Sequence, residues 1–228
     1  MPALEHNIES LKVRITNACH HANRDEDSVY LLPVSKTHSI QTLSAAHELG
    51  FNQFGENYLS EAKDKIAHFQ DKAIQWHFIG PVQSNKTRFL AEHFDWVQTV
   101  DRIKIIHRLN EQRPSTLKPL NILIQVNISC DANKSGASIN DIASLIELVE
   151  HSPRLIFRGL MALPKAHEDK EETINDFKKM QQLFIALQQK YPRCDTLSMG
   201  MSGDLELAIA HGSTMLRIGS DFFGSRKQ

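Results

Sequence analysis

The alternation of short apolar runs with amphipathic segments constrains the fold of this chain more than any other feature of its sequence. Eight runs have the length and residue types of buried strands, and segments with helical periodicity separate them. The runs are VYLLPV (29–34), FNQFG (51–55), WHFIG (76–80), DWVQTV (95–100), NILIQVNI (121–128), LIFRGLMAL (155–163), TLSMGM (196–201) and MLRIG (215–219). A further amphipathic segment, with Leu4, Ile8, Leu11 and Ile15 at helical spacing, precedes the first run. The pattern therefore predicts one helix followed by repeated strand–helix units.

Strands that alternate with helices favour a parallel sheet, because a parallel connection needs a long crossover and a helix supplies it. Eight such units favour closure into a (β/α)8 barrel, the TIM-barrel fold, with an extra N-terminal helix. The 228 residues lie near the lower end of the roughly 200 to over 400 residues of that fold. We therefore expect short loops and a single domain over residues 1–228. The alternative is a doubly wound open sheet, although no GxGxxG motif follows the first run.

The composition argues against several classes of partner and site. Lys and Arg number 26 against 27 Asp and Glu, so we expect neither nucleic acid nor an anionic membrane as a partner. No apolar run approaches the roughly 18 residues of a membrane span, and the first residues lack a signal-peptide pattern. We therefore expect a cytoplasmic protein. Cys19, Cys130 and Cys194 are far apart, which indicates reduced thiols, and no HExxH or paired-cysteine motif predicts a metal site.

Lys36 directly follows the first apolar run. The carboxyl ends of the strands form the functional face of a (β/α)8 barrel, so this lysine is expected to face a pocket rather than open solvent. Partial desolvation in such a pocket favours a neutral amine that attacks a carbonyl carbon. The alternative is a solvated surface lysine, which is the usual state of this residue type.

Small residues follow the seventh and eighth runs, where many barrels bind a phosphate through backbone N–H groups. They are Gly200, Ser202 and Gly203 in one loop and Gly219 and Ser220 in the other. Ser202 is also a candidate N-cap for a helix that starts near residue 203. Turn and cap chemistry explains either loop alone, but both loops together favour a phosphate site. A lysine nucleophile beside a phosphate cradle predicts either pyridoxal phosphate binding or a Schiff-base aldolase acting on a sugar phosphate.

Arg217 lies between Leu216 and Ile218 in the eighth run, so strand alternation directs its side chain into the barrel mouth. A buried arginine needs an acceptor, and two possibilities stand. One is a structural carboxylate such as Glu56 or Asp221. The other is the pyridine nitrogen of pyridoxal phosphate. Because arginine does not give up its proton, that nitrogen would stay unprotonated and the ring would be a weaker electron sink.

Seven stretches stand in order along nearly the whole chain. They are PVSKTHS, FGENY, WHFIGPVQSNK, VNIS with KSG a few residues on, RGLMALP, LSMGMSGDLELAI and RIGSDFFG. Together they resemble the pyridoxal phosphate homeostasis protein family, also called the proline synthase co-transcribed or alanine-racemase-like proteins. The resemblance implies a barrel similar to the N-terminal domain of alanine racemase, with pyridoxal phosphate linked to Lys36 through a Schiff base.

The resemblance also implies a set of residues around this cofactor. The set comprises Ser202 with the backbone at Gly219 and Ser220 at the phosphate, Arg217 by the pyridine nitrogen, and Asn57 and Met161 near the ring. Lys134, in the NKSG stretch, resembles another family lysine with a part in cofactor transfer. The alternative for Lys134 is a solvated loop lysine.

The tyrosines bear on whether such a site is catalytic. Racemisation needs an acid/base group on each face of the substrate, and the resemblance implies a tyrosine from a second domain for one of them. This chain ends nine residues after Gly219, so that domain is not expected, and of Tyr30, Tyr58 and Tyr191 only Tyr58 is expected to reach the pocket. We therefore expect a protein that buffers pyridoxal phosphate and passes it to apoenzymes without evident catalysis. The resemblance implies that it is a monomer or weak dimer. A weak pyridoxal-dependent racemase or lyase and the aldolase stand as alternatives.

Overall fold

Parallel strands and helices alternate in a computed structural model, which describes residues 2–131, 133–165 and 169–224. The strands in these ranges are β1 (Tyr30–Pro33), β2 (Gln53–Glu56), β3 (Gln75–Phe78), β4 (Trp96–Val100), β5 (Leu120–Val126), β6 (Leu155–Ala162), β7 (Thr196–Ser198) and β8 (Met215–Ile218). The α-helices are α1 (Pro2–His21), α2 (Ile40–Glu48), α3 (Leu59–His68), α4 (Thr87–His93), α5 (Ile103–Gln112), α6 (Ile142–Glu150), α7 (Lys170–Lys190), α8 (Leu205–Ala210) and α9 (Ser220–Phe223). Each predicted run contains or overlaps one strand, and each predicted amphipathic segment forms one helix.

The eight strands close into a barrel. They are all parallel and pair in the order β1-β8-β7-β6-β5-β4-β3-β2. The two outer strands of this order meet at a bridge between Val34 and Gly55, and the N–H of Ser35 donates to the carbonyl oxygen of Gly55 at 2.9 Å. The predicted (β/α)8 barrel is therefore confirmed, and the alternative open sheet is wrong.

The main apolar core lies between the strands and the surrounding helices. It joins strand residues such as Phe54 and Ile122 to helix residues such as Leu43 and Ile146, all of them fully buried. Helix α1, which precedes the first strand, packs against α8 and α9 and adds its apolar face to this core. Within the described ranges, none of the helices combines the length and the apolar character that a membrane span needs.

The approach of β6 to β7 depends on a glycine. Gly159 has φ +138°, and a Cβ built on it would lie 2.0 Å from the carbonyl oxygen of Thr196. Only glycine adopts that φ without strain and leaves room for the neighbouring strand. The close approach of these two strands therefore requires a residue without a side chain at position 159.

The barrel interior holds both apolar and polar side chains. Trp96, Leu123 and Met161 form a small apolar cluster that is separate from the main core. Beside it runs a line of hydrogen-bonded side chains from five strands, which we call the interior polar row: Gln53, His77, Gln98, Ser198 and Arg217. Within the row, His77 is fully buried and stacks on Trp96 with ring centroids 5.0 Å apart. A polar line of this kind is satisfied only when every member keeps its partner.

Because His77 is buried, we predict that the free energy of unfolding depends on pH. Burial, with a smaller effect of Arg158, lowers the pKa of His77 from 6.5 to about 3. The unfolded protein therefore binds a proton at pH values where the folded protein does not, and stability falls as the pH drops from 6.5 towards 3. At about pH 5, some 1.5 units below 6.5, the expected loss is about 2 kcal/mol.

Urea unfolding at about pH 7.5 and about pH 5 measures this loss. The matched variant is His77→Gln, because glutamine keeps one acceptor for Gln98 and one donor for Gln53. The native protein should lose about 2 kcal/mol more than the variant between the two pH values. Equal losses in the two proteins would show that His77 does not set this dependence.

Candidate binding site

A cavity of about 370 Å³ opens at the carboxyl ends of the strands. Its volume lies in the range of roughly 300–1,000 Å³ that small-molecule sites occupy. The residues that the sequence predicted for the site all line it: Lys36, Asn57, Met161, Ser202, Arg217, Gly219 and Ser220. The fold thus brings the seven together, while their contacts with a cofactor stay predictions.

The segment that carries Lys36 is fixed on its N-terminal side by a buried group of three residues. The Ser35 hydroxyl donates to Glu56 Oε1 at 2.5 Å, and Lys65 Nζ donates to the Ser35 carbonyl oxygen at 2.7 Å. Lys65 Nζ also pairs with Glu56 Oε1 at 2.6 Å. Because the side chains of Lys65 and Glu56 are 5% and 0% exposed, this is a buried ion pair.

The ionisation of Glu56 reflects this burial. Burial raises the pKa of the carboxyl group, and the Lys65 ammonium and the Ser35 hydroxyl oppose the rise. Glu56 Oε2 has no hydrogen-bond partner among the described residues, so Oε1 carries all of these contacts. The carboxylate therefore depends on Lys65 for its charge compensation.

The segment is held on its C-terminal side as well. Thr37 has φ +66°, and its N–H donates to Glu61 Oε2 at 2.6 Å. Left-handed backbone is rare for a β-branched residue and persists only where surrounding contacts hold it. Lys36 is half-buried between these two anchors, so its amine extends into the cavity from a preset backbone position.

The two small-residue loops meet at one side of the cavity. The hydroxyl oxygens of Ser202 and Ser220 are 3.4 Å apart, so both can donate to one acceptor that lies beside them in the cavity. Gly203 and Gly219 line the cavity beside them, and a Cβ built on either would meet no atom closer than 3.5 Å. The N–H groups of Ser220 and Asp221, the first two residues of α9, have no acceptor within the helix. These groups can bind an anion such as a phosphate.

The predicted N-cap role of Ser202 is wrong. Helix α8 begins at Leu205, and Asp204 is its N-cap residue. The Asp204 carboxylate accepts the N–H of Met201 at 2.6 Å and so folds the loop back on itself. Because the helix starts two residues later than predicted, the Ser202 hydroxyl is left facing the cavity.

Helix α1 braces both loops through Arg14. Its Nη1 pairs with Asp221 Oδ2 at 2.8 Å in α9, and its Nη2 donates to the Ser202 carbonyl oxygen at 3.1 Å. A third contact joins the guanidinium to Glu206 at 2.8 Å. The extra N-terminal helix therefore fixes the distance between the two loops that carry the serine hydroxyls.

Arg217 has other partners than the carboxylates that the sequence suggested. Its Nη1 donates to Ser198 Oγ at 2.6 Å and its Nη2 to the Ala162 carbonyl oxygen at 2.9 Å. Glu56 is instead paired with Lys65, and Asp221 with Arg14. The predicted structural ion pair is thus wrong for both. Burial lowers the pKa of Arg217 to about 10, so the guanidinium stays charged at neutral pH.

Asn57 reaches the cavity because Gly80 lets its backbone come close. A Cβ built on Gly80 would lie 2.0 Å from the Asn57 carbonyl oxygen, so any larger residue there would displace Asn57. Asn57 Oδ1 is buried and has no hydrogen-bond partner among the described residues. An unpaired buried amide oxygen is costly, and a polar ligand in the cavity would satisfy it.

Part of the cavity lining was not predicted from the sequence. The additional residues are Val34, His38, Ile79, Leu163, Met201 and Gly224. Most of these residues lie near the end of a predicted strand, and Gly224 directly follows the short final helix. Their positions near strand ends could therefore have indicated that they line the cavity. Lys134 lies at the rim, where its Nζ donates to the carbonyl oxygen of Leu163 at 2.9 Å. This hydrogen bond is exposed, and a part of Lys134 in cofactor transfer stays a prediction.

The tyrosines lie elsewhere. Tyr58, the one expected to reach the pocket, is 51% exposed at the start of α3 and does not line the cavity. Tyr30 lies at the opposite end of the barrel, and Tyr191 packs against Phe157. The expectation for Tyr58 is therefore wrong, and none of the three tyrosines supplies an acid/base group to this cavity.

The chain is similar over nearly its whole length to known proteins that share one name. A sequence model of the family described as alanine racemase, N-terminal domain, matches residues 1–227. A pyridoxal phosphate homeostasis protein from Vibrio alginolyticus is 48% identical over 230 residues, which cover 99% of each of the two chains. The protein of the same name from Escherichia coli K12 is 46% identical over 229 residues, covering 99% of this chain and 98% of its own.

Solved structures show the same fold. PipY from Synechococcus elongatus PCC7942, in a structure with pyridoxal phosphate bound, is 34% identical with a TM-score of 0.78, covering 86% of this chain and 93% of its own. An alanine racemase from Clostridium difficile 630 has a TM-score of 0.74 at 11% identity. That match covers 100% of this chain and 58% of the racemase, and at this identity it shows the likeness of the fold alone.

Proposed function

The chain belongs to the alanine racemase N-terminal domain family and, within it, to the pyridoxal phosphate homeostasis proteins, and we propose its function on that basis. It binds pyridoxal 5'-phosphate in the cavity at the carboxyl ends of the strands, buffers it and passes it to apoenzymes. One observation supports this proposal most directly: a lysine, a buried arginine and two serines with adjacent hydroxyls all line the same cavity.

Lys36 supplies the covalent attachment. When bound, pyridoxal phosphate supplies an aldehyde that a lysine amine can attack. Lys36 is the lysine among the described residues that lines the cavity. The contacts of Ser35 and Thr37 hold the backbone on either side of it. Little backbone freedom is then lost on attachment, and the entropy cost falls on the side-chain rotamers of Lys36.

The remaining residues hold the two ends of the cofactor. Ser202 and Ser220 donate their hydroxyls to the phosphate, with the backbone at Gly219 and Ser220 beside them. Arg217 would donate to the pyridine nitrogen, and a permanently charged donor would keep that nitrogen unprotonated. Asn57, whose Oδ1 is unpaired among the described residues, and Met161 line the same cavity and would lie by the ring. The donors present thus fit an anionic group at one end and a neutral ring nitrogen at the other.

We propose that the bound cofactor undergoes no turnover. Racemisation needs acid/base groups on both faces of the substrate, and no tyrosine of this chain lines the cavity. Loss of the cofactor to an apoenzyme needs only that water or an amine reach Lys36. The half-buried Lys36 and the exposed Ser220 at the cavity mouth support such exchange.

A binding and transfer experiment tests the function. The protein is dialysed against pyridoxal phosphate, freed of unbound cofactor and mixed with an aminotransferase that has been stripped of its own. We expect about one cofactor bound per chain, recovery of aminotransferase activity, and no D-alanine formed from L-alanine. Failure to take up pyridoxal phosphate would refute the proposal, and D-alanine formation that depends on Lys36 would favour the racemase.

A further inference from the structure

The Arg217 guanidinium is held by two acceptors on neighbouring strands. Ser198 Oγ in β7 accepts Nη1 at 2.6 Å, and the Ala162 carbonyl oxygen at the end of β6 accepts Nη2 at 2.9 Å. The guanidinium is planar, so two contacts on its two terminal nitrogens fix its plane. Ser198 itself does not line the cavity. Any effect of Ser198 on a ligand must therefore pass through Arg217.

The direction of every hydrogen bond in the interior polar row follows from Arg217. An arginine only donates, so Ser198 Oγ accepts, and the single O–H of Ser198 then donates to Gln98 Oε1 at 2.7 Å. The Gln98 amide nitrogen is 3.0 Å from His77 Nδ1 and donates to it. His77 is therefore neutral with its proton on Nε2, and it donates to Gln53 Oε1 at 2.9 Å.

This directed row prevents the Ser198 hydroxyl from rotating. If Ser198 turned its proton towards Arg217, two donors would face each other and Gln98 Oε1 would lose its partner. A buried unpaired group of this kind is costly. The lone-pair and proton positions at Ser198 are thus set by Arg217, which lines the cavity, and by Gln98, which does not.

We propose that Ser198 is a positioning residue, which with the rest of the interior polar row fixes Arg217 and makes the site select ligands whose ring nitrogen is an unprotonated acceptor. This inference rests on the proposed function. It adds a specificity determinant: Ser198 contributes to the affinity for the ring nitrogen and not to that for the aldehyde or the phosphate.

A pair of ligands isolates this contribution. Pyridoxal phosphate and its 1-deaza analogue, which carries C–H in place of the ring nitrogen, share the aldehyde and the phosphate. The native protein should prefer pyridoxal phosphate by about tenfold or more, as expected for one hydrogen bond to a charged donor. Ser198→Ala should reduce that preference by about tenfold, whereas Ser198→Thr, which keeps the hydroxyl, should retain it.

The matched control is Ser213→Ala. Ser213 is a fully buried serine whose hydroxyl donates to the Met199 carbonyl oxygen at 2.6 Å and has no contact with Arg217. A general loss of packing would weaken both ligands equally and leave their affinity ratio unchanged in this variant.

The outcomes separate the inference from the function on which it rests. An unchanged ratio in Ser198→Ala, or a native protein that binds both ligands equally, would overturn the positioning role while leaving cofactor binding intact. A native protein that binds neither ligand would overturn both. A reduced ratio in Ser198→Ala alone supports the inference, since a merely structural role for Ser198 would not change it.

Discussion

Lys36→Ala is expected to abolish the covalent attachment of pyridoxal phosphate. Among the described residues, Lys36 is the lysine that lines the cavity, whereas Lys65 is buried against Glu56 and Lys134 donates to the Leu163 carbonyl oxygen at the rim. Alanine offers no nucleophile, so no amine at this position can attack the aldehyde carbon. The donors of Ser202, Ser220 and Arg217 remain, and we expect weaker, non-covalent binding to persist.

Borohydride reduction followed by intact-protein mass measurement checks this expectation. The native protein should gain the mass of one reduced cofactor and Lys36→Ala none. Lys134→Ala is the matched control, because it removes a second lysine at the rim of the same cavity and should still be labelled. Labelling of Lys36→Ala to the native extent would rule out Lys36 as the site of attachment.

Lys65→Met is expected to lower the free energy of unfolding by about 3–5 kcal/mol. Methionine preserves much of the side-chain length but leaves Glu56 buried without its ammonium partner, and the Ser35 carbonyl oxygen loses a donor. Breaking a buried pair on one side costs more than the pair itself contributes, because a charge stays buried without compensation. The segment that carries Lys36 should loosen as well.

Denaturant unfolding of three proteins separates these effects. Lys63→Met removes an exposed lysine from the same helix, where its Nζ lies over the Phe89 ring, and should cost no more than about 1 kcal/mol. The double variant Lys65→Met with Glu56→Gln removes both charges and should recover part of the loss. If Lys65→Met cost no more than Lys63→Met, the buried pair would not stabilise the fold.

The order of strands and helices was predictable because hydrophobic periodicity is a local property of the sequence. Apolar runs mark strands that helices cover, so all eight strands and the barrel followed from it. The position of Lys36 at the end of β1 followed from the same pattern. The short helix α9 was missed, since four residues carry too little periodicity to indicate a helix.

The partners of the site residues were less predictable, because they depend on contacts between distant strands. The bond from Arg217 to Ser198 requires that β7 and β8 be neighbours with a particular register. The burial of Lys65 was not predicted, because it depends on Glu56 and Ser35 lying beside α3. A clue was available: His77, Gln98 and Ser198 are polar residues inside otherwise apolar strands, and such positions often face a barrel interior.

Peptide mapping of the borohydride-reduced native protein tests the central claim most directly. After incubation with pyridoxal phosphate, reduction and proteolysis, each lysine peptide is examined for the mass of the reduced cofactor. We predict a single labelled peptide, the one that contains Lys36, at about one label per chain. A label confined to another lysine, or no label on any, would contradict the claim that Lys36 holds pyridoxal phosphate in this cavity.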